Sequence, residues 1–400
     1  MSTSSRSTVC AGESDERAML RDAAARYVER GYAPQEPLVS RERWREFAEL
    51  GWLALGLPEA CGGLGDAGDA AVVAEALGRV AASEPWLANV GLAAPLLAAL
   101  RAQRDASTSA CEALLGAIAA GEQRAAVAAW EPQGRYDASD VATQARRDGD
   151  GWRLDGVKTL VFGGGTADVL LVPARESDAG GAAGEARKPV PSRGLAVFAV
   201  PAGAPGLRCR TLPTYDGRDS ADLRFEGLRL PAAACLSGSC DAWPAMETAI
   251  DHATALACIE AVGTMDAVLA ATQAYLQQRR QFGRPLASNQ VLRHRLVDLF
   301  VVVEQSRAIS EAAVARLGEA PAVRRRAVSL AKAFVSPAAR RCGEEGIQLH
   351  GAIGMTEELA LGRLVKRLIG FANFLGDEAW HLERVAEARH DASTAAAFTT

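Results

Sequence analysis

Apolar residues recur three and four positions apart from about residue 15 to residue 125, as in AAVVAEALGRVAAS and ALLGAIAA. This spacing places them on one face of a helix, so it predicts an N-terminal helical domain over residues 1–125. Ser109 and Glu112 have the spacing of a capping box, and we expect them to start the helix that carries the apolar run behind them.

The pattern changes at residue 126 to short runs of β-forming residues between turn residues, among them WRLDGVKTLVF, ADVLLVPA and ADLRFEGLRL. Such runs indicate strands and predict a middle β domain over residues 126–240. Glycine, alanine, proline and charged residues dominate positions 176–194, which we interpret as a hairpin loop. VFGGGTAD lacks the GxGxxG spacing and no helical pattern follows it, so we interpret it as a β-turn.

Helical periodicity returns from residue 241 to residue 400 in longer segments, at roughly 243–281, 285–318, 320–345 and 377–390. Long helices with alanine and glycine at the contact spacing favour an antiparallel four-helix bundle as the C-terminal domain. Ser336-Pro337 predicts an interruption of the third segment, because a proline removes a helical hydrogen bond. The predicted fold is therefore mainly α, with a β-barrel-like domain between an N-terminal helical domain and a C-terminal four-helix bundle.

Composition narrows the range of partners. The 400 residues carry 44 Lys and Arg against 49 Asp and Glu, without a basic stripe, which argues against nucleic acid. The N-terminal segment is polar and no apolar run reaches the roughly 18 residues of a spanning helix, so we expect a cytoplasmic protein with no membrane partner. Eight cysteines without a CxxC pair and five histidines fit no metal site.

Five segments, taken together, resemble the acyl-CoA dehydrogenase family. In chain order they are GWLALGLPEACGGLG, AAWEPQGRYD, LDGVKTLVFGGGTADVLLVPAR, YLQQRRQFGRPLASNQVLRHRLVDL and GIQLHGAIGMTEE. Each is a weak signal alone, but their order and spacing match the family over nearly the whole chain. The resemblance implies FAD as cofactor, an acyl-CoA thioester as substrate and α,β-desaturation as the reaction.

The fourth segment places Arg279, Arg280 and Arg284 beside Phe282-Gly283, where the chain turns. A guanidinium held at a turn suits bidentate phosphate binding, although a solvated basic helix end is the alternative. The resemblance implies that Arg280 reaches the pyrophosphate of FAD held by a neighbouring subunit. It also implies that Phe282 and Gln290 lie on the same dinucleotide.

The fifth segment contains Gln348 and Gly351, which resemble the family turn where main chain approaches the adenosine side of FAD. Ala352 stands in place of the second family glycine, and it can do so only with a negative φ. Gly351 and Gly354 equally suit a helix C-cap, so that alternative stays open. We expect His350 to be a packed residue.

The family's reaction needs a carboxylate that removes the α-proton of the acyl group. Alignment on the glycine of the family's Y-E-G-T element puts Leu375 at that position, and a slip of one residue puts Gly376 there. Some relatives carry the base on the first long C-terminal helix, where this chain has Ala253. Asp377 is a weak catalytic candidate whose commoner role is a helix N-cap, and we expect Asp251 in a salt bridge or in packing.

Two expected flavin contacts also differ from the family. Trp130 and Phe162 each stand where the family has a small hydroxyl residue, so the space for the isoalloxazine ring should be narrower. Whether FAD still binds beside them stays open.

The whole pattern looks most like the small or β-type subunits of heteromeric acyl-CoA dehydrogenases of the pimeloyl-CoA or steroid side-chain type. It implies an FAD-associated subunit that oxidises a bulky or carboxylated acyl thioester together with a homologous subunit or a second copy of itself. The alternatives are a homomeric flavoenzyme with another base or another reaction, and a flavin-free, non-catalytic assembly subunit.

Overall fold

The computed structural model describes residues 14–32, 40–103, 107–177, 194–356 and 358–397. Five helices come first, and a π-helical turn at Leu87–Ala93 leads into the fourth of them. They are α1 (Asp15–Gly31), α2 (Arg41–Glu49), α3 (Ala67–Arg79), α4 (Ala94–Arg101) and α5 (Thr108–Ala119).

The predicted capping box at the start of α5 is wrong. The helix begins at Thr108 behind Ser107, and Glu112 forms an ion pair of 2.7 Å with Arg101 instead. A capping box does form at α3, where the Asp66 carboxylate accepts from the backbone N–H of Asp69 and the Asp69 carboxylate accepts from that of Asp66.

The middle of the chain forms one seven-stranded sheet in the order β1-β4-β2-β3-β7-β6, with β5 paired to β4. β4 runs parallel to β1 and β2, and the other pairs are antiparallel. The predicted hairpin loop joins β4 to β5, and its residues 178–193 lie outside the described part. The strands are β1 (Ala125–Val127), β2 (Gln144–Asp148), β3 (Gly151–Phe162), β4 (Val169–Ser177), β5 (Leu195–Pro201), β6 (Leu207–Pro213) and β7 (Asp219–Leu230).

The C-terminal part contains five helices joined by short connections, and a two-stranded hairpin follows the first. The helices are α6 (Trp243–Gln278), α7 (Gln290–Val314), α8 (Pro321–His350), α9 (Leu361–Asn373) and α10 (Glu378–Ala397), and the hairpin strands are β8 (Arg280–Gln281) and β9 (Arg284–Pro285). The predicted interruption at Pro337 is wrong, because α8 runs through it. α9 was not predicted. The order of helices, curled sheet and helices confirms the predicted fold class.

Helix α6 is the central element of the molecule. It is long and apolar enough to cross a membrane, but 78% of its most apolar stretch is buried inside the protein, as expected of a core helix. Its backbone touches that of α3, because an added Cβ on Gly78 would lie 2.0 Å from the Glu260 carbonyl oxygen and one on Gly263 would lie 2.0 Å from that of Glu75. This contact fixes the N-terminal domain directly on the C-terminal helices.

Candidate functional site

A tight hairpin between α6 and α7 carries the predicted pyrophosphate ligand. Phe282 and Gly283 form its two-residue loop, with φ of +52° and +78°. Two positive φ angles in a two-residue loop are the signature of a type I′ turn, which projects its side chains away from the body of the protein. The Phe282 side chain is accordingly 99% exposed.

Arg280 lies exposed on the first strand of this hairpin and makes no hydrogen bond or ion pair with the described part of the chain. Gln290, also exposed, is the first residue of α7, and no side chain caps the amide groups there. A guanidinium near the uncapped N-terminus of a long helix makes this end of the molecule suitable for a phosphate group. The residues of the hairpin therefore fit the dinucleotide part of FAD.

The end of α8 lies at the same end of the bundle. The buried His350 stacks on Tyr275 of α6 at 4.5 Å between ring centroids, and its Nδ1 lies 2.8 Å from the Gly346 carbonyl oxygen. His350 is thus a packed residue, as expected. This stacking brings Gln348 and Gly351, both exposed, to the end of α6 from which the hairpin starts.

The turn after α8 supports the C-cap interpretation for one of its two glycines. Gly351 ends the helix with a φ of +69°, as a C-cap glycine does, and Ala352 has the negative φ that an alanine requires. Gly354 serves another purpose, because an added Cβ there would lie 3.0 Å from the Ile347 carbonyl oxygen. The backbone of this turn is therefore closely packed against α8.

The position expected to hold the catalytic base is occupied by a buried alkyl group. Leu375 lies in the loop between α9 and α10 with a φ of +60°, a conformation that is rare and strained for a bulky residue. Asp377, two residues on, accepts a hydrogen bond of 2.9 Å from the backbone N–H of Trp380. Its carboxylate is therefore the N-cap of α10.

Two buried side chains hold this loop in place. Lys332 of α8 donates to the carbonyl oxygens of Phe371 at 3.1 Å and Gly376 at 2.7 Å, and burial lowers its pKa to about 8. His381 Nε2 lies 3.0 Å from the Leu375 carbonyl oxygen, so this nitrogen carries the proton. Burial, with help from the nearby Lys332 and Arg384, lowers the pKa of His381 to about 3.

The alternative base position on α6 offers no carboxylate either. Ala253 is buried, with its Cα 3.7 Å from where a Cβ on Gly91 would lie. Asp251, two residues before it, is completely buried and forms ion pairs with Arg324 at 3.0 Å and Arg384 at 2.9 Å. The expectation of a salt bridge at Asp251 is confirmed, and its carboxylate is not available for proton abstraction.

Two of the family-like motifs in the β domain meet in a buried ion pair. Lys158 Nζ lies 2.7 Å from Glu131 Oε1, and both side chains are buried. The Glu131 carboxylate also accepts from the backbone N–H groups of Ala142 and Thr143. Burial alone would raise the pKa of Glu131, but Lys158 and these hydrogen bonds outweigh it and hold the pKa below its usual value. These motif residues brace the sheet.

The glycine-rich segment at the end of β3 is a turn, as predicted. The Asp219 carboxylate accepts from the backbone N–H of Thr166 at 2.8 Å and from its hydroxyl at 2.9 Å. Beside this turn the Phe162 ring packs against Phe374 at 5.0 Å between centroids. Phe162, an expected flavin contact, therefore touches the loop that carries Leu375, the expected position of the base, through aromatic rings.

A group of four buried charged residues lies next to these rings, and no motif in the sequence indicated it. Glu260 Oε1 of α6 accepts from Arg218 and from Arg367 of α9, each at 2.7 Å. Asp216 lies 3.4 Å from each of the same two guanidinium groups. We call Asp216, Arg218, Glu260 and Arg367 the charge cluster. Because Arg367 also donates to the Ala82 carbonyl oxygen at 2.8 Å, the cluster connects all three parts of the fold.

The cluster is electrically balanced. Burial by itself would raise the pKa of Glu260, but Arg218 and Arg367 outweigh this effect and hold the pKa below its usual value. The same two guanidinium groups also outweigh burial at Asp216 and hold its pKa below the usual value. Burial lowers the pKa of Arg367, but arginine keeps its proton in proteins, so all four side chains stay charged. Elsewhere in the described ranges, no group of three or more His, Cys, Asp or Glu residues is placed to hold a metal ion.

Comparisons with known proteins agree with this architecture. Among curated proteins, the chain is 28% identical over 330 residues to the mitochondrial long-chain specific acyl-CoA dehydrogenase of Sus scrofa, covering 81% of this chain and 74% of that protein. It is 29% identical over 360 residues to the cyclohex-1-ene-1-carbonyl-CoA dehydrogenase of Geobacter metallireducens, covering 87% and 90%. Among solved structures, the ChsE4-ChsE5 complex from Mycobacterium tuberculosis has a chain that superposes with a TM-score of 0.79 at 26% identity, covering 94% and 97%.

Three domain models of one family match the chain in the order in which its helices, sheet and helices follow each other. They describe the N-terminal, middle and C-terminal domains of acyl-CoA dehydrogenases and match residues 14–122, 126–228 and 242–389. With the fold described above, these matches show that the chain belongs to the acyl-CoA dehydrogenase family.

Proposed function

We propose that this chain is the β-type subunit of a heteromeric FAD-dependent acyl-CoA dehydrogenase that desaturates a bulky or carboxylated acyl thioester in the cytoplasm. The observation that carries the proposal is the buried Leu375 at the position of the base. Asp377 caps a helix and Asp251 is paired with two arginines, so neither replaces the missing carboxylate. A homologous subunit must then supply the base.

The part of this chain in such an enzyme is to hold the cofactor. FAD, when bound, accepts the hydride that leaves the β-carbon of the acyl group. Arg280 would hold the pyrophosphate, and Phe282, Gln290, Gln348 and Gly351 would cover the rest of the dinucleotide. The exposed Arg280, without a partner in the described part of its own chain, supports a site that another chain completes.

An apolar surface on α7 and α8 supports the assembly. Val297 and Val301 lie one helical turn apart on α7, and Leu330 and Phe334 lie one turn apart on α8, and all four are exposed. An open groove of about 410 Å³ between the helices is lined by Gln305, Ala308, Ile309 and Phe334. Several exposed apolar side chains beside an open groove are typical of a protein interface.

Replacing Arg280 tests the proposal. In a complex with a homologous subunit that carries the missing glutamate, Arg280→Ala should weaken FAD binding at least tenfold, because a buried guanidinium–phosphate pair contributes about 2–5 kcal/mol when one partner is removed. The measurement is the dissociation constant of FAD, followed by flavin fluorescence. Arg316→Ala, an exposed arginine just beyond the other end of α7, is the matched control and should leave the constant unchanged. Equal FAD affinity in both variants would refute the proposed role of the hairpin.

A further inference from the structure

All three domains meet around the charge cluster. Any cleft between the three domains would therefore have to lie at the cluster. The space that is present has a volume of about 10 Å³. Leu77 and Trp86 bound it on the N-terminal side, Phe162 on the sheet side, and Glu260 and Arg367 on the side of the C-terminal helices. Ten cubic ångströms is about the least that one water molecule needs, whereas pockets for small ligands measure roughly 300–1,000 Å³.

The cleft is filled by side chains that hold each other in place. Arg218 lies across the aromatic rings, with its guanidinium carbon 4.8 Å from the Phe374 ring centroid and 5.5 Å from that of Phe162. Its other contacts are the ion pairs with Asp216 and Glu260. Each member of the cluster has a partner of opposite charge, so no member can move out of the cleft without leaving a buried charge unpaired.

We propose that the cleft between the three domains of this chain is permanently closed by the charge cluster and the Phe162–Phe374 contact, and that it takes neither an isoalloxazine ring nor an acyl thioester. The residues present therefore do not fit the reactive part of FAD, although the hairpin fits its dinucleotide part. This inference rests on the proposed function in one respect: the partner must then provide an open cleft as well as the base. Two chains together hold one flavin.

The stoichiometry of binding tests the inference. The full chain alone, at concentrations where it self-associates, is dialysed against FAD and, separately, against octanoyl-CoA. A second copy could provide the hairpin, so an open cleft would bind one FAD per chain. We expect less than about 0.1 equivalent of either ligand on the chain alone, and one FAD per two chains in the complex with the homologous subunit. One FAD or one octanoyl-CoA per chain alone, or two FAD per pair, would overturn the inference.

A double variant gives a second readout. Arg218→Ser combined with Glu260→Ala removes one pair of charges and leaves Asp216 opposite Arg367. Because the cluster lines no working cleft, the complex should keep kcat and KM within about twofold, with an unchanged FAD content. A tenfold loss of kcat in a complex with full FAD content and an unchanged melting temperature would place the cluster in the working site and overturn the inference.

The two proposals fail in different ways. A complex that binds no FAD would contradict the proposed function. So would a complex whose dissociation constant for FAD is the same with and without Arg280→Ala. Octanoyl-CoA binding to this chain alone would still decide whether its cleft is closed.

Discussion

His381 shows how one buried side chain fixes the loop between α9 and α10. Its Nε2–H donates to the carbonyl oxygen of Leu375, and its Nδ1 lies 3.3 Å from the Ser329 hydroxyl, from which it can accept. A protonated ring would have to donate to a hydroxyl oxygen that already accepts from Arg384 at 3.3 Å, and it would carry a buried positive charge close to Lys332 and Arg384. The loop between α9 and α10 is therefore held by a neutral imidazole.

Acid should unfold the protein partly through His381. Its pKa is about 3 in the folded protein against an ordinary 6.5, so unfolding binds a proton between these values and stability falls as the pH falls. Relative to pH 8, the His381 contribution at pH 5 should be a loss of about 2 kcal/mol in the free energy of unfolding. Urea unfolding of wild type and His381→Gln at both pH values measures it. Equal losses in the two proteins would contradict the assignment.

At this scale the sequence predicted local roles and missed distant partners. The cap at Asp377 follows from residue type and position at a helix start, whereas the salt bridge expected at Asp251 has partners, Arg324 and Arg384, that lie 73 and 133 residues away. The charge cluster could not be predicted in this way, because Glu260 is 42 residues from Arg218 and 107 residues from Arg367. Only the folded chain shows that this one of several acids on α6 faces two arginines.

The helices α3 and α6 approach each other so closely that two glycines are required where they cross. Thr264 of α6 strengthens the crossing by donating its hydroxyl proton to the Gly78 carbonyl oxygen at 2.8 Å. Since the same stretch of α6 presents Glu260, the closeness of the two helices also sets the position of the charge cluster.

Gly78→Ala should destabilise the protein in spite of the better helix propensity of alanine. The new methyl group would lie 2.0 Å from a backbone oxygen, which cannot move aside, so we expect a loss of about 1–3 kcal/mol in the free energy of unfolding. Gly116→Ala in α5 is the matched control, because nothing lies within 4 Å of its added Cβ. It should gain about 0.5–1 kcal/mol. Denaturant unfolding compares them, and a stabilised Gly78→Ala variant would refute the close contact.

The elements of the fold were predicted better than their ends. Long helices and most strands follow from periodicity, but the start of α5 and the continuity of α8 do not. The 13-residue α9 was missed, although its buried Leu361, Leu364 and Leu368 recur at helical spacing. Its two glycines, Gly362 and Gly370, lower its helix propensity but not this periodicity. Gly370 is explained by tertiary structure, because its added Cβ would lie 3.1 Å from the side chain of Asp216. Packing against α8 and α6, rather than propensity, makes this segment helical.

The molecule as a whole exposes apolar side chains on the C-terminal helices and on the hairpin. The apolar surface on α7 and α8 and the Phe282 side chain are both exposed to water. Covering them with a partner chain would be favourable, because it removes apolar area from water. The family and the order of domains could be predicted from motif order, whereas these surfaces could not, because their positions depend on which helix faces remain outside the bundle.

A charged residue in the apolar surface on α7 and α8 should dissociate the proposed assembly. Phe334→Glu places a carboxylate in the groove between α7 and α8, where desolvation in an interface would be costly. Light scattering should then report a smaller particle at the same concentration. Leu382→Glu, at an exposed leucine of α10, is the control and should leave the size unchanged. An unchanged size for Phe334→Glu would show that the interface lies elsewhere.

Helix α6 sets the distance between the charge cluster and the hairpin that carries Arg280. From Glu260 in the charge cluster to Gln278 before the hairpin, about 18 residues at about 1.5 Å each set a separation of about 27 Å along a rigid rod. No arginine side chain spans that length, so the hairpin cannot serve the cleft of its own chain. Diluting the enzyme until its subunits separate should therefore release FAD at the same concentration, and flavin that stays bound to separated subunits would contradict this coupling.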